Sequence, residues 1–168
     1  MAERSVDIVA DQLSNAEGMF FKGCFTDKIV LGGGNFKDEY DIAEFAEQLE
    51  KTFQPSDITS ENIYNLIYRY GRAAKQIIER AQKEVESLNY EALLNAELRY
   101  SLDEESATNL SDFFVRRTGK LYFEREAVLG EYNLLKEKIE KLLNWDAGQK
   151  ADYHHFFMNE YKSAVHFN

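Results

Sequence analysis

A single proline, nine glycines, one tryptophan, three histidines and one cysteine are all that 168 residues contain of these types. Each scarcity excludes something. One cysteine, Cys24, rules out an intramolecular disulfide framework and a cysteine-based zinc site, and the compartment expected from that is cytoplasmic. The longest apolar runs are only a few residues, so neither a transmembrane helix nor a signal-peptide core is expected. Basic residues are outnumbered, 20 against 30 acidic, for a net charge of −10. An acidic field of that size repels phosphate backbones and anionic lipid, so nucleic acid is not an expected partner. Catalytic signatures are missing too. Gly32-Gly33-Gly34 lacks the GxGxxG spacing and strand-to-helix setting of a dinucleotide site, and there is no Walker lysine. A flexible hinge is the preferred reading of this triplet.

The histidines do not assemble a metal site. His154 and His155 are adjacent, so on a helix they point about 100° apart. His155 and His166 share a face but stand about 16 Å apart along the axis. No HExxH occurs, and no histidine has a glutamate three residues before it, which removes a ferritin-type di-metal helix bundle. No metal is therefore expected. Cys24 has no histidine at helical spacing to activate it as a nucleophile.

What is present is helical periodicity and many rings, 12 Phe and 10 Tyr. With so few breakers, interruptions fall at roughly 15–36, 54–59, 87–89, 106–110, 119–124 and 144–147. The first is the longest and carries five of the glycines and the only β-like run, Lys28-Ile29-Val30-Leu31. An opening helix at about 3–14 precedes it. Beyond it, Ile42, Phe45, Ala46, Leu49 and Phe53 recur at three- and four-residue steps, as do Ile63, Leu66, Ile67 and Tyr70, and Ala74, Ile77, Ile78, Ala81 and Val85. Thr59 or Ser60 is a cap candidate and Gly71 a helix stop. Further stripes run through Tyr90, Leu93, Leu94 and Leu98, then Leu110, Phe113 and Phe114. Two long helices follow, with Val128, Tyr132, Leu135, Ile139 and Leu142, and with Tyr153, Phe156, Phe157, Tyr161 and Ala164. No fixed-period repeat appears, so this is no solenoid. The fold class is all-α. Residues 1–36 form an N-terminal helix and an irregular Gly-rich arm, and 37–168 form a compact multi-helix domain.

Two charges fall within apolar stripes: Glu97 on the helix of Tyr90, Leu94 and Leu98, and Arg117 on that of Leu110, Phe113 and Phe114. Either one buried alone would cost several kcal/mol. The economical arrangement is a buried Glu97–Arg117 ion pair joining two helices; the alternative is that one or both reach past the stripe to water. No nucleophile or activated base lies beside them in sequence, so no catalytic residue is assigned.

The segment Ala96-Glu97-Leu98-Arg99-Tyr100, followed by Asn109-Leu110-Ser111-Asp112-Phe113-Phe114-Val115-Arg116-Arg117-Thr118-Gly119, resembles the C-terminal region of the FAD-dependent glycerol-3-phosphate dehydrogenases and the related alpha-glycerophosphate oxidases. There an AExxY helix precedes a loop and a helix carrying D-F/L-x-x-R-R-T. Tyr70-Gly71, Asn144-Trp145-Asp146 and Thr26-Asp27-Lys28-Ile29-Val30-Leu31-Gly32-Gly33 are further points of similarity, and Leu121-Tyr122-Phe123 leans towards the oxidase-like members. The resemblance implies a helical C-terminal accessory domain. The FAD-binding fold and the substrate domain would then lie upstream of Met1, and this chain would be inactive alone, with no cofactor of its own. It further implies that the parent passes hydride from C2 of glycerol 3-phosphate to the flavin. An oxidase parent would then reduce oxygen, and a dehydrogenase parent a quinone, with peripheral attachment to the cytoplasmic membrane face. The implied partners are the catalytic FAD and substrate domains of the same chain. Glu97, Tyr100, Asp112, Arg116, Arg117 and Thr118 match the motif. Their implied role is structural or inter-domain, with Tyr100, Asp112, Arg116 and Thr118 as contact candidates. A different class of function stays open beside it: a free-standing acidic helical interaction module, to which the off-stripe rings Tyr64, Tyr68 and Phe167 point.

Overall fold

A computed structural model describes residues 2–53 and 56–165 of the chain. The all-α expectation holds: eight α-helices follow one another, with no β-strand among the described residues. They are α1 (Ala2–Glu17), α2 (Glu39–Thr52), α3 (Ser60–Tyr70), α4 (Ala74–Gln82), α5 (Tyr90–Glu104), α6 (Lys120–Phe123), α7 (Arg125–Leu142) and α8 (Ala147–Val165). A π-helical turn at Asp112–Arg117 lies between α5 and α6. The β-like run Lys28–Leu31 forms no strand; its first residue closes a 3-10 turn and the others are exposed. Val85 falls outside the helix whose stripe it was expected to extend, because α4 stops at Gln82. His166 and Phe167 lie outside the described residues.

Local chemistry explains where the helices begin. The Asp38 carboxylate accepts from the amide of Asp41 at the start of α2, and the Asn89 side chain from that of Ala92 at the start of α5. Thr59 and Asn62 exchange side-chain and backbone hydrogen bonds in a capping box for α3. Gly71 does end α3 as expected, with φ +57°, but the chain then runs directly through one 3-10 turn into α4.

The apolar stripes pack into two cores. The first gathers α2, α3, α4 and one side of α5, around Leu49, Leu66, Ile67, Ile77 and Ala96. The second gathers the other side of α5 with the π turn, α6, α7 and α8, around Leu98, Phe113, Phe114, Leu135 and Phe157. Helix α5 is the shared wall. Ala92, Leu93 and Ala96 belong to one core and Leu94 and Leu98 to the other, so it is buried nearly all round. Its buried polar residues, Glu97 and Ser101, must therefore find partners inside the protein. Helix α1 is the opposite case, since none of its residues is buried.

Candidate functional site

Glu97, on the shared helix, is only 3% exposed, and the charge that meets it is Arg69 of α3. The Nε of Arg69 lies 3.1 Å from Oε1 of Glu97 without hydrogen-bond alignment, so the contact is an ion pair. Nη1 of Arg69 donates to Oε1 of Glu124 at 3.1 Å, just past the end of α6. A second buried pair adjoins the first. Lys120, 1% exposed, donates through Nζ to both carboxylate oxygens of Glu131, at 2.8 and 3.0 Å, and to the Tyr90 hydroxyl at 3.0 Å. The Tyr90 hydroxyl in turn donates to Glu131. Lys120 also lies 3.6 Å from Glu124. Arg69 comes from the first core, Lys120 and Glu131 from the second, and Glu97 and Tyr90 from the wall between them. The ionic node joins the two halves of the domain.

Burial and neighbouring charge act in opposite directions here. Burial pushes the Glu97 carboxyl above its ordinary range, although Arg69 and Lys120 pull the other way. Burial also disfavours the Lys120 ammonium, but Glu97 and Glu131 outweigh it and hold the pKa above the usual lysine value. Tyr90 is pushed up to about 12 by burial and by its bond to Glu131. The cavity beside them is about 20 Å³, room for a single water molecule and no substrate. The node can hold helices in register; it cannot turn over a ligand.

The expected Glu97–Arg117 pair is therefore corrected. Arg117 is exposed and joins no ion pair among the described residues. The reason is the π turn. The amide and hydroxyl of Thr118 both donate to the carbonyl of Phe113, five residues back, at 2.9 Å. Each residue of such a widened turn advances less than in an α-helix, so a 3.6-residue wheel carries Arg117 onto the wrong face. Thr118 closes that turn. Asp112 opens it, accepting from the Thr108 amide and hydroxyl at 2.9 and 2.7 Å and from Asn109 at 3.1 Å. These bonds and Arg116, at 2.5 Å, hold the Asp112 carboxyl below the usual range against a counteracting burial effect. Asp112 and Arg116 also line an open groove of about 610 Å³ against α8. Tyr100 stacks edge-on against Tyr70, 5.4 Å between centroids, at the rim of the first core. Of the six motif residues, only Glu97 enters the node. Sequence reasoning missed Lys120 altogether, because α6 is four residues long and too short to show a stripe.

The Gly32–Gly34 triplet is not the free hinge it resembles. Gly33, at φ +82°, and Gly71, at φ +57°, pass backbone against backbone; a Cβ on either would lie 2.0–2.1 Å from the other segment's carbonyl oxygen. The Arg72 amide donates to the Gly33 carbonyl at 2.9 Å. Its guanidinium donates to the Asn35 carbonyl and to Asp41, each at 2.8 Å, and lies over the Phe36 ring at 4.5 Å. The backbone of this triplet is committed to the helical body, and the next helix begins only at Glu39, so the triplet does not open a helix N-terminus as a phosphate cradle would.

Elsewhere, His154 shares a hydrogen bond with Tyr132 at 2.7 Å and His155 with Asn159 at 2.9 Å. No group of three or more potential metal ligands occurs among the described residues. No helix among them is long and apolar enough to cross a membrane.

Among the described residues the domain is all-α, with an ionic node between two cores and an exposed apolar arm. Residues 24–150 match the family model described as the C-terminal domain of alpha-glycerophosphate oxidase, and the chain belongs to that family. The aerobic glycerol-3-phosphate dehydrogenase of Staphylococcus epidermidis is 29% identical over 154 residues, covering 91% of this chain and 28% of that protein. Its counterpart from Bacillus subtilis is 28% identical over 153 residues, covering 89% and 28%. The crystal structure of glycerol-3-phosphate dehydrogenase from Bacillus halodurans, complexed with FAD, superposes with a TM-score of 0.82 at 26% identity, over 99% of this chain and 34% of that one. The chain thus spans about 28% of the length of these curated relatives.

Proposed function

We propose that this chain is the helical accessory domain of an FAD-dependent enzyme that oxidises glycerol 3-phosphate to dihydroxyacetone phosphate. One observation carries the reading: the fold matches an FAD-complexed dehydrogenase over 99% of its own length but only 34% of that enzyme's. On this reading the flavin and the substrate are held by the catalytic body of the same longer polypeptide, and this chain supplies neither a flavin ligand nor a catalytic group. Residues 1–36 connect to that body and residues 37–168 pack beside it, with Tyr100, Asp112, Arg116 and Thr118 near the contact. The buried node supports a structural role, because its charges are spent on each other.

An antibody against the 168 residues, used on extracts of the source cells, tests this directly. The expected band is several times larger than 19.5 kDa, in a yellow protein that turns over glycerol 3-phosphate. Peroxide release would mark it as an oxidase, and quinone reduction at a membrane surface as a dehydrogenase. A band at the fragment's own size, colourless and inactive, overturns the reading. An independent interaction module, which the comparisons do not support, would then be the function to pursue.

A further inference from the structure

Ten of the eighteen exposed large hydrophobic side chains among the described residues lie between Val6 and Leu31. Phe20 is 89% exposed and Leu31 80%, and Val6, Ile8 and Val9 stand exposed on α1. A cleft of about 330 Å³ between α1 and the arm is lined by Val6, Ala10, Phe21 and Phe25. So much apolar surface in one short stretch marks a contact surface. A 16-residue helix with no buried residue is also marginal in water. Its partner is therefore something other than the helical body.

Two further observations say what that partner is. The family model of the C-terminal domain begins at residue 24, beyond α1, while the FAD-complexed structure matches 99% of the chain, α1 included. Helix α1 thus lies outside the matched domain range and inside the matched structure. The arm is also built to present it at a fixed place. Where the arm meets the body, the Gly33–Gly71 crossing and the Arg72 guanidinium bind its backbone at Gly33 and Asn35.

We propose that α1 and the apolar arm, residues 2–31, form the docking surface for the flavin-bearing body of the same polypeptide, latched at one angle by Gly33, Gly71 and Arg72. The inference rests on the accessory-domain reading and adds which face makes the contact. It gives α1 a buried partner and leaves the exposed Tyr122–Phe123 corner free.

Hydrogen–deuterium exchange read by mass spectrometry tests it, comparing the 168-residue chain with the flavin-loaded longer protein purified from source. Residues 2–31 are expected to exchange at least about tenfold more slowly in the longer protein, with little change at Tyr122 and Phe123. Protection at those two residues, with α1 unchanged, overturns the docking surface and leaves the accessory-domain reading intact. Protection of α1 already in the isolated chain, with a dimer by light scattering, assigns the surface to a second copy and also overturns it. The absence of any longer flavoprotein sinks both. A further arm replaces Arg72 by glutamine in the longer protein. Faster proteolysis within 18–35, with Tm nearly unchanged, is expected; an unaltered cleavage rate rejects the latch.

Discussion

Replacing Lys120 by methionine is the sharpest trial of the buried node. Lys120 is 1% exposed and Glu131 4%, and the ammonium makes two bonds to that carboxylate, at 2.8 and 3.0 Å. Methionine fills a similar volume, so packing is nearly retained while the charge is lost. Glu131 is then left in a dry site with the Tyr90 hydroxyl as its remaining close partner. Removing one member of such a pair costs about 3–5 kcal/mol, because the survivor keeps its desolvation penalty without its counter-charge. For a domain of this size, each kcal/mol moves Tm by about 2–4 °C, which places the fall at roughly 6–20 °C. That is a large part of a total stability of about 5–15 kcal/mol. Urea unfolding followed by circular dichroism should show a lower midpoint at an unchanged m-value. The double variant Lys120→Met/Glu131→Leu should recover most of the loss, since a well-packed apolar pair can replace a buried ion pair at little cost. A single variant within about 1 kcal/mol of the parent, or a double variant worse than the single, would refute the reasoning.

Three other outcomes follow from the same geometry. Arg69→Ala should cost about 3 kcal/mol or more by stranding Glu97, whereas Arg117→Ala should stay within about 0.5 kcal/mol; thermal melts of both decide which arginine serves Glu97. Because burial raises the Glu97 pKa above its ordinary 4.5, its protonated form is favoured on folding, and that contribution is fully present below pH 4.5 and fades as pH rises through the folded-state value. The stability gap between the parent and Glu97→Gln should therefore narrow from pH 4 to pH 8, and a gap that widens would show the carboxylate to be the form the fold prefers. Gly71→Ala should destabilise by about 1–3 kcal/mol, because its Cβ would meet the Gly33 carbonyl at a positive φ, while Gly130→Ala, in open space within α7, should stabilise by about 0.5–1 kcal/mol. Equal effects in denaturant titrations of the two would mean that the Gly33–Gly71 crossing is not formed.

The class of the fold and the course of its helices were legible in the chain because their signals are local. Stripes such as Ile63, Leu66, Ile67 and Tyr70 repeat within one or two turns, and the cap at Thr59 acts within three residues. The burial of Glu97 was the preferred reading of a carboxylate amid Leu94 and Leu98, with reach past the stripe to water as the alternative, and the structure buries it. Its partner was not legible. Arg69 lies 28 positions away on a helix whose own stripe gives it no distinction, and the wheel that nominated Arg117 assumed 3.6 residues per turn where the backbone takes a π turn. Lys120 sits at the start of a helix with a single turn, and the Gly33–Gly71 crossing joins segments 38 residues apart. Periodicity settles which face of each element turns inward, because that depends on neighbours along the chain. Which charges meet and where the arm is fastened depend on how helices from distant parts of the chain pack, and only the tertiary structure decided that.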